Sequence, residues 1–96
     1  MIIANKLKDL RINKGIQQRK IAAALDIDTA TYSKIENGIL SLRKEHLSIL
    51  SGILDCNLKE LHCYWLADKI YNLVNEEDQA IESLKIVINK LNKQQK

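Results

Sequence analysis

Few side chains in this 96-residue sequence stand at spacings that chemistry could use. His46, Cys56, His62 and Cys63 could ligate a metal, but their separations match neither a zinc finger nor a zinc ribbon. Cys56 falls near a helix end with apolar neighbours, so the cysteines read as buried core residues and the histidines as core or capping residues. Neither thiol has the acidifying surroundings of a redox switch. There is no Ser/His/Asp triad spacing, no glycine-rich phosphate loop and no pair of catalytic carboxylates, so the sequence argues against an enzyme, a metal or a cofactor. Two other groups remain. Arg11 and Glu36 follow Leu7 and Tyr32 by four residues, which puts both on inward helical stripes, where a charge needs a partner. In the stretch TATYSKIENG, residues 29–38, only Ala30, Tyr32 and Ile35 are apolar. With Tyr32 and Ile35 turned inward, Thr29, Ala30, Ser33 and Lys34 form an outer edge of short side chains and one lysine. Solvated helices favour long straight residues at such positions. A short edge instead suits a major groove about 12 Å wide, where hydroxyls and a lysine bond base edges and a methyl touches thymine.

The elements that must position these residues are all helices. The chain has no proline and three glycines, and it lacks the alternation of β-branched and aromatic residues that marks strands. A first helix over about 3–14 carries Ile3, Leu7 and Leu10 and stops at Gly15. A second spans about 18–25, with Ile21, Ala22 and Leu25 inward. Asp26-Ile27-Asp28 separates it from the helix of the short edge, which Asp28 caps and Gly38 ends. Ser41 is placed to cap a fourth helix built on Leu47, Leu50, Ile53 and Leu54. Asn57 with Glu60 resembles a capping box opening a fifth, and Asn75 followed by three acids marks the start of a sixth. Ile81, Leu84, Ile88 and Leu91, spaced three, four and three, give the sixth helix two heptads of an apolar seam, too short to stand alone.

Two helices joined by a three-residue turn, with small Ala22 midway along the first, describe a helix-turn-helix. LRINKGIQQRKIAAALDIDTATYSKIENG resembles the phage-repressor/Cro-type family, also called the xenobiotic-response-element (XRE) family. Leu10-Arg11, Gly15, Gln18, Ala22, Ile27, Ser33-Lys34-Ile35-Glu36 and Gly38 carry the resemblance, which covers roughly residues 3–61. It implies an all-α, five-helix repressor-like DNA-binding domain, here with an extended fifth helix and an additional sixth. It also implies base reading by Thr29, Ala30, Ser33 and Lys34. Phosphate contact is implied for Gln18 and Arg19 at the start of helix two, Asn37 at the helix end, and Ser41, Arg43 and Lys44 in the following loop and helix start. Arg11 and Glu36 become a structural ion pair. Three positions depart from the pattern: Asp26 stands at the usual turn glycine, Gln17 at the usual Ser/Thr cap, and Tyr32 at the usual aliphatic.

Charge supports the assignment. Residues 1–45 hold nine Lys/Arg against five Asp/Glu, and residues 46–96 six against seven, so the basic character belongs to the half with the motif. The remainder reads as an extension. With a DNA-binding domain at 1–66, residues 67–96 are expected to form a helical dimerisation extension packed on it. Trp65, Leu66, Ile70, Tyr71, Leu73 and Val74 exceed what helix six alone could hide, so Trp65, Leu66, Ile70, Leu73, Val74, Ile81, Leu84, Ile88 and Leu91 are expected to form a homodimer interface. The expected function is a transcription regulator, of repressor or restriction–modification controller type, binding double-stranded DNA at a dyad-symmetric operator as a homodimer. The rivals are an antitoxin-like autoregulator whose terminal helices bind a second protein, and a helical interaction module that has lost DNA binding. No apolar run approaches the roughly 18 residues of a membrane span and no secretion signal opens the chain, so a cytoplasmic location without membrane partners is expected.

Overall fold

A computed structural model describes residues 2–94 as six helices. They are α1 (Ile2–Asn13), α2 (Gln18–Ala24), α3 (Thr29–Glu36), α4 (His46–Ile53), α5 (Leu58–Val74) and α6 (Ala80–Gln94). Among the described residues there is no strand. The all-α expectation holds, and the first three helices start and stop within two residues of their sequence-based limits.

One core serves the first five helices. Ile3 and Leu7 of α1, Ile21 and Ala22 of α2, Tyr32 and Ile35 of α3, Leu47 and Leu50 of α4, and Leu61 of α5 are all buried in it. Leu25, Leu42 and Leu54 join them from the connections. In α1, α3 and α4 the buried apolar positions recur at three or four residues, the spacing of one helical face. α2 packs on α3 and α4, while α1 packs on α3 and α5. Ala22 leaves room for α3 to approach α2, as the motif requires.

The turns follow local chemistry. Gly15 (φ 66°) ends α1 in the left-handed region that glycine enters without strain. Asp26 (φ 58°) takes the same conformation where the family usually has glycine, and Asp is among the residues that tolerate it. Asp55 (φ 50°) does likewise after α4, a position that the sequence did not single out.

Two expected caps differ. α4 begins at His46 with Glu45 before it and no side-chain cap, so Ser41 does not open it; Ser41 lies five residues upstream in the loop. Asn75 closes α5 rather than opening α6: its side-chain amide donates to the carbonyls of Tyr71 (3.0 Å) and Asn72 (3.2 Å). Asn57 does cap α5, accepting from the Glu60 N–H at 3.0 Å.

α6 stands apart. None of its residues is fully buried, though Ala80, Ser83 and Leu84 are half-buried. The radius of gyration, 15.3 Å, exceeds the roughly 12.5 Å of a compact chain this long, as a helix standing off the core requires.

Candidate nucleic-acid interface

α3 is set by its two ends and its inner face. Asp28 caps it, its carboxylate accepting from the Thr31 N–H at 2.6 Å, and the Thr31 hydroxyl first, then that N–H, hold the Asp28 carboxyl below its ordinary range. At the entry turn, the Ile27 N–H donates to Ala22 and the Asp26 N–H to Ala23, so the end of α2 is satisfied before α3 begins. Tyr32 is fully buried, and burial pushes its phenol far up. Its hydroxyl lies near Glu36 but makes no hydrogen bond of acceptable geometry. With Tyr32 and Ile35 inward, Thr29, Ala30 and Lys34 are exposed and Ser33 is half-buried.

Glu36 is the buried charge that the sequence left in need of a partner. Its side chain is 1 % exposed, and Arg11 meets it as a fork, Nε to Oε2 at 2.6 Å and Nη2 to Oε1 at 3.1 Å. Arg11 Nη1 also donates to the Ile16 carbonyl at 3.0 Å, and Gln18 Nε2 donates to Glu36 Oε1 at 3.1 Å. Burial alone would raise the Glu36 carboxyl, but Arg11 first, then the nearby Tyr32 hydroxyl and Gln18, outweigh it and hold the group below its ordinary value. The Arg11 guanidinium is correspondingly raised. This cluster ties α1, the start of α2 and the end of α3 into one unit.

The expected phosphate-contacting residues surround α3. Asn37 ends the helix, exposed, its N–H donating to Ser33. Ser41, Arg43 and Lys44 are exposed on the loop before α4, and that loop is pinned from beneath. Leu42 is buried, and its carbonyl accepts from Trp65 Nε1 at 2.8 Å. Gln18 and Arg19 sit at the first turn of α2. Each is already engaged within the chain, Gln18 with Glu36 and Arg19 Nε with Gln17 Oε1 at 2.6 Å. Gln17 itself makes no side-chain cap, in keeping with its departure from Ser/Thr. Arg19, Lys20, Lys34, Arg43 and Lys44 give this face exposed positive charge.

The residues expected at a dimer interface divide. Trp65 belongs to the fold: its ring packs against the core, its indole N–H is satisfied, and Lys69 lies over it 4.5 Å from the ring centroid. Val74 and Leu84 are half-buried. Leu66, Ile70, Leu73, Ile81, Ile88 and Leu91 are exposed, Leu73 to 79 %. On α5 the exposed set lies opposite Leu61 and Trp65, so the helix has one apolar face on the core and a second away from it.

Cys56 is half-buried and its thiol is raised by burial, whereas Cys63 is exposed, which corrects the expectation that both are buried. His46 and His62 are half-buried, and the Nδ1 of His46 is buried without a partner. Among the described residues no group of three or more His, Cys, Asp or Glu could hold a metal ion. No described helix is long and apolar enough to cross a membrane.

Sequence reasoning missed Asp68. This buried carboxylate on α5 accepts from the Ile2 N–H (2.7 Å) and the Ile3 N–H (2.8 Å), capping α1 from 65 residues away. An acid interrupting the inner stripe of α5 was the available signal, since a buried carboxylate needs donors.

A helix-turn-helix family model matches residues 7–61, more than half of the chain. The chain is similar to the control protein C.MunI of Mycoplasma sp., with 41 % identity over 58 residues, covering 59 % of this chain and 78 % of that protein. No solved structure matches it.

Proposed function

This chain belongs to the helix-turn-helix family of the phage-repressor/Cro (XRE) type and is a DNA-binding transcription regulator, and from that premise we propose that it binds a dyad-symmetric operator as a homodimer. The observation that carries the proposal is the division of α3: Tyr32 and Ile35 are buried while Thr29, Ala30 and Lys34 are exposed on the outer side. The cap at Asp28 and the ion pair at Glu36 hold both ends of that helix, so its outer edge is already rigid before DNA arrives. Preorganisation of this kind lowers the ordering cost of binding.

In this reading Thr29, Ala30, Ser33 and Lys34 enter the major groove and read base edges, Lys34 reaching guanine acceptors. Gln18, Arg19, Asn37, Ser41, Arg43 and Lys44 contact the phosphates on either side and fix the register of the helix. Gln18 keeps a second amide N–H beyond the one given to Glu36, and Arg19 keeps the Nη donors of its guanidinium. Leu66, Ile70 and Leu73 of α5, with Ile81, Leu84, Ile88 and Leu91 of α6, supply the dimer contact. Two-fold symmetry then sets two half-sites about 10 bp, or a multiple, apart. Similarity to a protein named as a control protein favours a restriction–modification controller over a phage repressor. Selection from a random duplex pool tests the whole reading. A selected site with two inverted half-sites at helical spacing supports it, and no enrichment at low salt refutes it.

The exposed α6 stripe also supports a second reading, an antitoxin-like regulator whose terminal helices hold a different protein. Co-purification of the full chain with an unrelated small protein, in place of self-association, would favour it.

A further inference from the structure

The C-terminal helix has a pattern that reading DNA does not require. Ile81, Leu84, Ile88 and Leu91 recur along α6 at three, four and three residues, and none of them is buried. Charge is segregated along the same axis. Glu76, Glu77 and Asp78 precede the helix and Glu82 lies in its first turn, while Lys90 and Lys93 lie toward the other end; Lys85 sits near the middle, paired with Glu82 at 3.6 Å. Helix dipoles favour this polarity within one helix, and it makes the helix complementary to an inverted copy of itself.

We infer that α6 of one copy pairs antiparallel with α6 of a second copy, about a two-fold axis crossing the helix near residue 86. The inference rests on the homodimer reading above and adds its geometry. In this arrangement Ile81 faces the partner's Leu91, and Leu84 faces the partner's Ile88. The acidic end of each helix then lies beside the basic end of the other. A parallel pair would set acids against acids and lysines against lysines, and like charges disfavour a pairing as opposite charges favour it. A uniformly acidic or basic partner would leave one end of α6 unmatched, whereas a second copy matches both. Two heptads make a small contact, so more apolar surface must join it. The outer face of α5 provides that surface: Cys63, Leu66, Ile70 and Leu73 are exposed at the same three, four, three spacing.

The full-length chain with Cys56→Ser and Cys63→Ser provides the test, carrying either Ile81→Cys or Leu91→Cys, one of the two with a short tag. In an antiparallel pair each position lies about 15 Å along the axis from its own twin. A disulfide needs Cα atoms within about 7 Å, so neither variant alone should cross-link under mild oxidation. An equimolar mixture should give the mixed 81–91 disulfide. Ready cross-linking of Ile81→Cys to itself would mean a parallel pair and overturn the inference. A sedimenting dimer that forms no cross-link in the mixture would overturn the α6 pairing and leave the homodimer standing. A monomer at micromolar concentration would overturn both. As a second variant, Ile88→Lys changes an exposed side chain on a helix with no fully buried residue. It should keep the wild-type far-ultraviolet circular dichroism spectrum and weaken dimerisation by about tenfold or more; unchanged self-association would count against the pairing.

Discussion

Arg11→Ala isolates the contribution of the buried ion pair. Glu36 has a side chain 1 % exposed, and Arg11 supplies two of the three hydrogen bonds that reach it from Arg11 and Gln18. Removing the guanidinium leaves a carboxylate out of water with one amide donor. Breaking a buried pair from one side costs about 3–5 kcal/mol, and the partial exposure of Arg11 (15 %) points to the lower end. For a domain of this size each kcal/mol lowers the melting temperature by roughly 4–8 °C, so the midpoint should fall by at least about 12 °C. The pH dependence adds a sign. In the wild-type chain the Glu36 carboxyl is held below its ordinary 4.5, so its stabilisation is full above that pH and is lost as pH falls through the folded value. Without Arg11, burial dominates and raises the group, and protonation then relieves the variant. The deficit of Arg11→Ala should therefore be large at neutral pH and shrink below about pH 4.5. Thermal melts followed by far-ultraviolet circular dichroism at pH 7 and pH 4 would measure it. A shift below about 4 °C at pH 7, or an equal deficit at both pH values, would refute the reasoning.

Lys34→Ala should cost about 1–3 kcal/mol in operator binding and relax base preference, whereas Arg43→Ala should weaken all sequences alike and reduce the salt slope by about one. Titrations on cognate and random duplexes separate the two, and identical behaviour would show that reader and anchor are misassigned. Asp68→Ala should destabilise the fold by about 1–3 kcal/mol through loss of the α1 cap, read by urea unfolding. Trp65→Phe keeps the ring packing but loses the bond to the Leu42 carbonyl. About 1 kcal/mol of stability should go with it, and protease cleavage around residues 39–45 should quicken.

The helix-turn-helix was legible because its signals are local. A cap at Asp28, a stop at Gly38, small Ala22 and inward Tyr32 each act within a few residues, and each is found where the pattern put it. Arg11 and Glu36, 25 residues apart, were readable as well, because a charge on an inward stripe demands a partner. The contacts that the sequence did not show share a different cause. Asp68 finds its donors on α1, Trp65 finds its acceptor in the loop before α4, and Gln18 turns toward Glu36. Periodicity gives the face of a helix but not what lies across from it. Ser41 and Asn75 were assigned to helix starts because their residue types suit caps. Backbone geometry put Ser41 in a loop and Asn75 at a helix end instead.

Asp68 has a consequence for how the polypeptide can be divided. It lies beyond residue 66, on the side assigned to assembly, yet it fastens the first turn of the helix that carries Arg11. A fragment cut at that boundary would keep every side chain proposed to touch the operator and still begin with a frayed end. The part proposed to read DNA therefore borrows its foremost clasp from the part proposed to recruit a companion, and a cut between them would cost the first its fastening.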